Sequence, residues 1–176
     1  MAKDETERER LSRILEPGFG EAIEGLSLEE VRHRRDDCLA EREYLSYLRR
    51  LLHGRLEILG AEMKARADGV DTPLVERLAV ILGGDAPIAR TSRGEALRVG
   101  LPDDEIDEAR RRVEGLAEDS AIADPTAVDE GTLVEAIETL TQEERVVSGA
   151  RRTVMDLHDR FQDELKRRYK ERLQPS

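Results

Sequence analysis

The chain has 176 residues, of which 38% are hydrophobic and 39% are charged, and it contains no Trp, two Phe and three Tyr. So few aromatic residues cannot fill a broad globular core, and the composition therefore favours one modest domain built from long helices. The formal net charge of −11 argues against binding to a nucleic-acid duplex or to an anionic membrane, because both require a positive protein surface. A partner with a basic surface fits this charge better.

The sequence also predicts a cytoplasmic protein. Its single cysteine, Cys38, allows no disulfide framework, and the first ten residues lack the apolar run of a signal peptide. No stretch approaches the roughly 18 consecutive apolar residues of a membrane-spanning helix. We therefore expect a reducing compartment, with Cys38 buried as a small apolar residue.

Residues 1–26 are predicted to form a mobile N-terminal arm or a short docking segment. Charged residues dominate this region, and Pro17-Gly18-Phe19-Gly20 interrupts any helix. Leu11, Ile14 and Leu15 nevertheless stand at helical spacing, so a few apolar side chains on this tail could dock on a partner.

The first long helix is predicted over residues 27–69. Ser27 and Glu30 have the spacing of a capping box at its start, and Asp68-Gly69 provides a stop at its end. Apolar residues recur every seven positions between them, which is the period of a coiled-coil seam. These residues are Val31, Cys38, Leu45, Leu52 and Leu59.

Residues 70–131 are predicted to form a connector with short helices at about 74–82 and 103–118. Thr72-Pro73 starts the first of these helices, and Gly83-Gly84 ends it. The rest of the connector is rich in turn-forming residues and is predicted to be irregular.

The second long helix is predicted over residues 132–174. Thr132 with Glu135 and Thr141 with Glu144 both fit capping boxes, so either a short helix precedes a long one or a single helix runs through. A second apolar seam follows these patterns. Its residues are Val147, Ala150, Val154, Leu157, Phe161 and Leu165.

These elements predict an all-α fold in which the two long helices form an intramolecular coiled coil, with short helices in the connector. The connector is long enough for either parallel or antiparallel pairing. We expect the antiparallel arrangement.

A polar pattern occurs twice, 102 residues apart, once on each long helix. The first copy consists of Arg42, Ser46, Arg49, His53 and Glu57, and the second of Glu144, Ser148, Arg151, Met155 and Asp159. In each copy the spacings of four, three, four and four residues place the five side chains on one face of a helix, beside the seam. Two paired helices would present both stripes along a groove roughly 22 Å long.

The side-chain types in the stripes suit a guanine-bearing anion. Arg matches the O6 and N7 acceptors of guanine and also binds phosphate, and a carboxylate can accept hydrogen bonds from N1 and N2 of the base. Ser can bond a phosphate or ribose oxygen without blocking the groove. The alternative is a ligand-independent coiled-coil adaptor in which both stripes are solvated flanking positions, which is the usual role of such stripes.

No enzyme activity and no metal site are expected. The sequence has no Gly-rich phosphate loop, no G-x-S-x-G elbow and no H-E-x-x-H motif. His33, His53 and His158 lack the spacing of a zinc site. A third alternative is a hydrolase or cyclase that acts on the guanine-bearing ligand. It predicts chemical turnover of that ligand, which we do not expect.

Residues 45–59 and 144–152 resemble the two motif helices of RsiG-type anti-sigma factors. Those proteins carry the pattern E-x3-S-x2-R-x3-Q-x3-D on each of two coiled-coil helices. In that family the motifs bind a dimer of cyclic di-GMP, and the loaded protein sequesters a WhiG-type sigma factor, a relative of flagellar sigma factors. The resemblance implies cyclic di-GMP as a regulatory ligand and one chain per WhiG-type sigma factor, without direct binding to DNA, RNA or membranes.

The second copy follows the family pattern at Glu144, Ser148, Arg151 and Asp159, and Met155 replaces the glutamine. The resemblance implies that Arg151 recognises guanine or phosphate and that Asp159 recognises the guanine edge. Glu144 and Ser148 would fix the orientation of the ligand.

The first copy follows the family pattern less closely. Ser46 and Arg49 match, Glu57 stands for the aspartate, His53 stands for the glutamine, and Arg42 stands where glutamate is expected. The resemblance implies that Arg49 recognises guanine or phosphate, Glu57 the guanine edge and Ser46 the orientation. Ligand contact by Arg42 follows least directly from the resemblance.

Overall fold

The computed structural model describes residues 2–69, 73, 76, 100–117, 121 and 123–173. The regular elements in these ranges are α1 (Ala2–Leu15), a 3-10 turn (Ile23–Gly25), α2 (Leu28–Asp68), α3 (Asp103–Glu114) and α4 (Glu130–Leu173). The long helices α2 and α4 pack against each other, which confirms the predicted all-α class. None of the described helices is long and apolar enough to cross a membrane.

The described chain forms two compact units. Unit 1 comprises Met1–Ser46 and Val147–Ser176, and unit 2 comprises Tyr47–Val146. In the part of the chain that the structure describes, unit 1 contains α1 with part of α2 and part of α4, and unit 2 contains α3 with the other parts of α2 and α4.

The start and the end of α2 agree with the prediction. The amide of Ser27 donates to Glu30 Oε2 at 2.7 Å, and the amide of Glu30 donates to the Ser27 hydroxyl at 3.2 Å. This reciprocal pair is a capping box, and its hydrogen bonds hold the pKa of Glu30 below the usual range. The helix ends at Asp68, and Gly69 follows with a φ of 64°, which glycine adopts without a steric cost.

Both capping boxes predicted for the start of α4 are wrong. The residue that caps the helix is Asp129, whose carboxylate accepts from the Thr132 amide at 3.0 Å and from the Thr132 hydroxyl at 2.9 Å. Thr132 therefore lies inside the first turn. The helix then runs unbroken for 44 residues, so Thr141 begins no new helix. Leu140 is fully buried just before Thr141, and this continuous packing favours one helix over two.

The predicted seams form the core of each unit. The seam residues of α2 are at most 1% exposed, and those of α4 are at most 9% exposed apart from the half-buried Ala150. The predicted burial of Cys38 is confirmed, and its removal from water raises the pKa of the thiol to about 12.

The two long helices run antiparallel in both units. In unit 1, Arg35 donates to Gln162 at 3.3 Å, and Ser46 lies 2.8 Å from Arg151. Residue numbers therefore rise along α2 as they fall along α4. Unit 2 shows the same direction, because Arg49 contacts Glu144 and Arg66 contacts the carbonyl of Val128, which precedes α4.

The segment before α2 differs from the expected mobile arm, because α1 and the residues after it pack into unit 1. Ile14, Phe19 and Ile23 are between 1% and 7% exposed. The Phe19 ring meets the Phe161 ring edge to face, with the ring centroids 5.7 Å apart. The few apolar residues of this segment thus dock on the chain itself, since burial of aromatic and aliphatic surface stabilises the ordered segment.

The described part of the connector contains α3. This helix ends at Glu114, earlier than the predicted residue 118. At its end, the Gly115 amide donates to the Arg111 carbonyl at 2.9 Å. Ala109 and Val113 are buried on the predicted face. The helix predicted at 74–82 lies outside the described residues except for residue 76.

Candidate functional site

The 102-residue repeat extends from the polar stripes to the contacts inside each unit. In unit 1, Arg10 of α1 donates to Glu41 at 2.6 Å. In unit 2, Arg112 of α3 donates to Glu143 at 3.0 Å. The residue numbers of this pair are each 102 higher than those of Arg10 and Glu41. The two units are therefore built alike, each with a short helix held to a long one by an equivalent pair. Sequence reasoning missed these pairs, although the same shift of 102 residues identifies them.

A second equivalent contact lies near the end of each long helix. Arg66 donates to Glu62 at 2.8 Å in unit 2, and Arg168 donates to Glu164 at 2.6 Å in unit 1. Each arginine also donates to three backbone carbonyls of the segment that precedes the other long helix. The acceptors are Pro125, Thr126 and Val128 for Arg66, and Ile23, Glu24 and Leu26 for Arg168. These contacts set the register of the helices on which the polar stripes lie.

In unit 1, the structure brings together Arg42, Ser46 and Arg151, which we call the serine cluster. The Ser46 hydroxyl donates to the carbonyl of Arg42 at 2.6 Å and accepts from Arg151 Nε at 2.8 Å. Because a serine hydroxyl has only one hydrogen, its bond to the helix backbone leaves its lone pairs to hold the guanidinium. All three residues are partly exposed. A neutral side chain thus orients Arg151 at the surface of the unit.

In unit 2, the structure brings together Arg49, His53 and Glu144, which we call the carboxylate cluster. Arg49 Nε and His53 Nε2 each lie 3.0 Å from the same oxygen, Oε1 of Glu144. An ionised carboxylate only accepts hydrogen bonds, so both nitrogens donate to it. The Arg49 and His53 side chains are 41% and 43% exposed, and that of Glu144 is 19% exposed. The cluster therefore has hydrogen-bond donors and a carboxylate acceptor that are both partly exposed to solvent.

Each cluster combines residues from both copies of the polar pattern. Arg151 of the second copy binds Ser46 of the first, and Glu144 of the second copy binds Arg49 of the first. Antiparallel packing is the reason, because it brings residues near 46 on α2 close to residues near 150 on α4. Guanidinium and hydroxyl groups in such clusters can donate to phosphate or to guanine O6 and N7, and carboxylates can accept from N1 and N2 of guanine.

The other predicted site residues differ in their burial. Ser148 and Met155 are half-buried in unit 1, and Glu57 is exposed in unit 2. Asp159 is exposed and lies 3.0 Å from Nδ1 of its neighbour His158. Among the described residues, no group of three or more His, Cys, Asp or Glu side chains could hold a metal ion.

Comparison with known proteins identifies one family. Residues 17–82 match the model of the RsiG-like family. No curated protein matches the chain. The matched range includes all of α2, and with it the first copy of the polar pattern. The match is consistent with an RsiG-type anti-sigma factor. Residues 17–82 are therefore similar to the RsiG-like family, and this segment contains the first of the two predicted motif helices.

Proposed function

We propose that this chain is an anti-sigma factor that binds a dimer of cyclic di-GMP and, when loaded, sequesters a WhiG-type sigma factor. The RsiG-like match over residues 17–82 supports the anti-sigma role. The proposed nucleotide ligand is supported by the pairing of motif residues between the two long helices. Arg49 donates to Glu144, and Arg151 donates to Ser46.

The carboxylate cluster has the chemistry to recognise guanine. Arg49 can donate to O6 and N7 of the base, and Glu144 can accept from N1 and N2. The ligand has to replace the existing contact between these two side chains. That cost is small, because an ion pair with a 41% exposed partner contributes only about 0–1 kcal/mol in water.

The serine cluster has the chemistry to bind a phosphodiester. Arg151 is held by the neutral Ser46 hydroxyl, so its planar fork is oriented before a ligand arrives. Orientation in advance lowers the entropy lost on binding.

The charge of the chain suits a sigma factor as partner. A net charge of −11 attracts a basic surface and accelerates the encounter with it. The nucleotide strengthens this complex by the same factor by which the sigma factor strengthens nucleotide binding, because the two affinities are thermodynamically linked.

Two measurements test the proposal. Calorimetric titration with cyclic di-GMP, with and without a WhiG-type sigma factor from the same genome, should show saturable binding. Pull-down of that sigma factor should be stronger with the nucleotide. Arg151→Ala and Arg49→Ala should each weaken nucleotide binding, whereas the exposed neighbour Arg152→Ala should not. If no binding heat appears with or without the sigma factor, the nucleotide role is wrong.

The carboxylate cluster also favours a second function, that of a ligand-independent coiled-coil adaptor. Glu144 already satisfies Arg49 and His53 within the chain, as the polar surface of a stable helical pair would require. An adaptor would capture the sigma factor equally well with and without nucleotide. The RsiG-like family is not an enzyme family, and our proposal predicts that cyclic di-GMP is recovered intact after incubation.

A further inference from the structure

We propose that an apolar groove on unit 1 binds a basic amphipathic helix of the partner sigma factor. The groove lies between the end of α1, the turn that follows it and one face of α4, and it has a volume of about 370 Å³. This inference rests on the proposed function, because it assigns a docking surface to the same partner. The residues that line the groove belong neither to the serine cluster nor to the carboxylate cluster.

The groove has an apolar lining that continues onto the surface. Ile14 and Leu157 line it and are 1% and 9% exposed. Leu15, at the end of α1, also lines the groove and is 45% exposed. Covering this leucine with an apolar side chain of a partner removes further apolar surface from water, which favours binding.

The turn after α1 is fixed against α4 at Gly20. A Cβ atom at this position would lie only 2.4 Å from Cδ2 of Leu157, so the close approach of the two walls requires glycine. The Gly20 carbonyl also accepts a hydrogen bond from Arg160 Nη2 at 2.6 Å. The groove is therefore formed before a partner arrives, which lowers the entropy lost on binding.

The rim of the groove is acidic. The side chains of Glu16, Glu21 and Asp156 are exposed, and none of them forms an ion pair with a described residue. Among the described residues that line the groove, Arg160 alone is basic, and it is engaged by the Gly20 carbonyl. This excess of negative charge attracts a partner segment that carries Lys or Arg, and it repels an acidic one.

These features favour a helix as the partner segment. Among the described elements there is no strand, so the groove offers no sheet edge with which an extended segment could pair. A helix satisfies its own backbone hydrogen bonds. It can place apolar side chains in the groove and basic side chains beside the rim, because residues three and four apart share one face.

The groove and the polar stripe occupy different faces of α4. The residues of α4 that line the groove are Thr153, Asp156, Leu157 and Arg160. At about 100° per residue, their centre lies about 150° around the helix from the centre of the second copy of the polar pattern. A nucleotide bound at the stripe would therefore not fill the groove, and substitutions in the groove should leave the nucleotide affinity unchanged.

The test measures the affinity of the full chain for a WhiG-type sigma factor from the same genome, by calorimetry in the presence of cyclic di-GMP. Leu15→Ala should weaken binding about tenfold at every salt concentration, because it removes an apolar contact. The double variant Glu21→Gln/Asp156→Asn should weaken binding about three- to tenfold at low salt and less at high salt, since salt screens exposed charges.

Two variants with the same chemistry outside the groove are the controls. Leu173→Ala removes a leucine that is 81% exposed, and Glu135→Gln/Glu138→Gln removes two exposed carboxylates of α4. Both should stay within about twofold of the parent, since surface changes away from a binding site have small effects. Thermal unfolding and titration with cyclic di-GMP alone check that the groove variants are folded.

The outcomes separate the two proposals. If the parent binds the sigma factor and the groove variants bind it equally tightly, the docking surface is wrong while the proposed function stands. A loss of equal size in the control variants also contradicts the docking surface. If the free chain is a dimer that Leu15→Ala dissociates, the groove binds a second copy and its assignment to the sigma factor is wrong. If the parent does not bind the sigma factor, with or without nucleotide, both proposals are wrong.

Discussion

Arg66 and Arg168 occupy equivalent positions 102 residues apart and make equivalent contacts in the two units. Each pairs with a glutamate four residues earlier, and each donates to three backbone carbonyls that precede the other long helix. Because the acceptors are carbonyls, their side chains are free to differ between the repeats. The contact thus fixes where one helix begins relative to the end of the other without constraining the acceptor sequence.

We expect Arg168→Ala to lower the free energy of unfolding by about 2–3 kcal/mol, since it removes hydrogen bonds from a charged donor to two partly buried carbonyls and one exposed carbonyl. Denaturant unfolding followed by circular dichroism measures the change. Lys166→Ala is the control, because Lys166 is 60% exposed and makes only an i,i+3 ion pair with Asp163. Equal effects of the two substitutions would contradict the role assigned to Arg168.

Asp129→Ala should lower the free energy of unfolding by about 1 kcal/mol, the usual cost of losing a helix N-cap. Thr141→Ala should change it by less than about 0.5 kcal/mol, because Thr141 lies within a continuous helix and caps nothing. Thermal unfolding of both variants compares the two positions. A larger loss at Thr141 would restore the predicted second capping box.

The stability of unit 1 should fall in acid through Glu164. Hydrogen bonds from Arg167 and then Arg168 lower the pKa of this carboxyl from 4.5 to about 2. Because the pKa of Glu164 is lower in the folded protein than in the unfolded chain, its ionised carboxylate stabilises the fold at pH values above the unfolded-state pKa of 4.5. This contribution is lost as the pH falls from 4.5 towards 2. Glu164→Gln should therefore be less stable than the parent at pH 7, and the difference should shrink over that range. Denaturant unfolding of both proteins between pH 7 and pH 2 measures the difference, and a difference that stays constant over this range would contradict the contribution assigned to Glu164.

Cys38 should resist modification in the folded protein. It is fully buried in the α2 seam, and burial raises the pKa of its thiol to about 12. Only the thiolate reacts with a disulfide reagent, so at pH 8 the folded chain should react at least about a hundredfold more slowly than the unfolded chain. Absorbance of the released thiol measures both rates. Comparable rates would place Cys38 outside the core.

Much of the fold followed from local patterns. The seven-residue spacing from Val31 to Leu59 predicted the buried face of α2, and Ser27 with Gly69 predicted its ends, because caps and seams depend on residues close in sequence. The capping box at Thr141 failed for the same reason. Its side-chain spacing is satisfied equally well in mid-helix, and Glu144 is instead engaged by Arg49, which lies 95 residues away in the chain.

The sequence by itself determined the repeat, the helices and the face on which the polar residues lie, since helical periodicity is a local property. Only the tertiary structure decided which polar residues meet. Neither the pairing of Ser46 with Arg151 nor that of Arg49 with Glu144 follows from the spacing within one helix. Both depend on the direction and the register of the second helix, which long-range packing and contacts such as those of Arg66 and Arg168 determine.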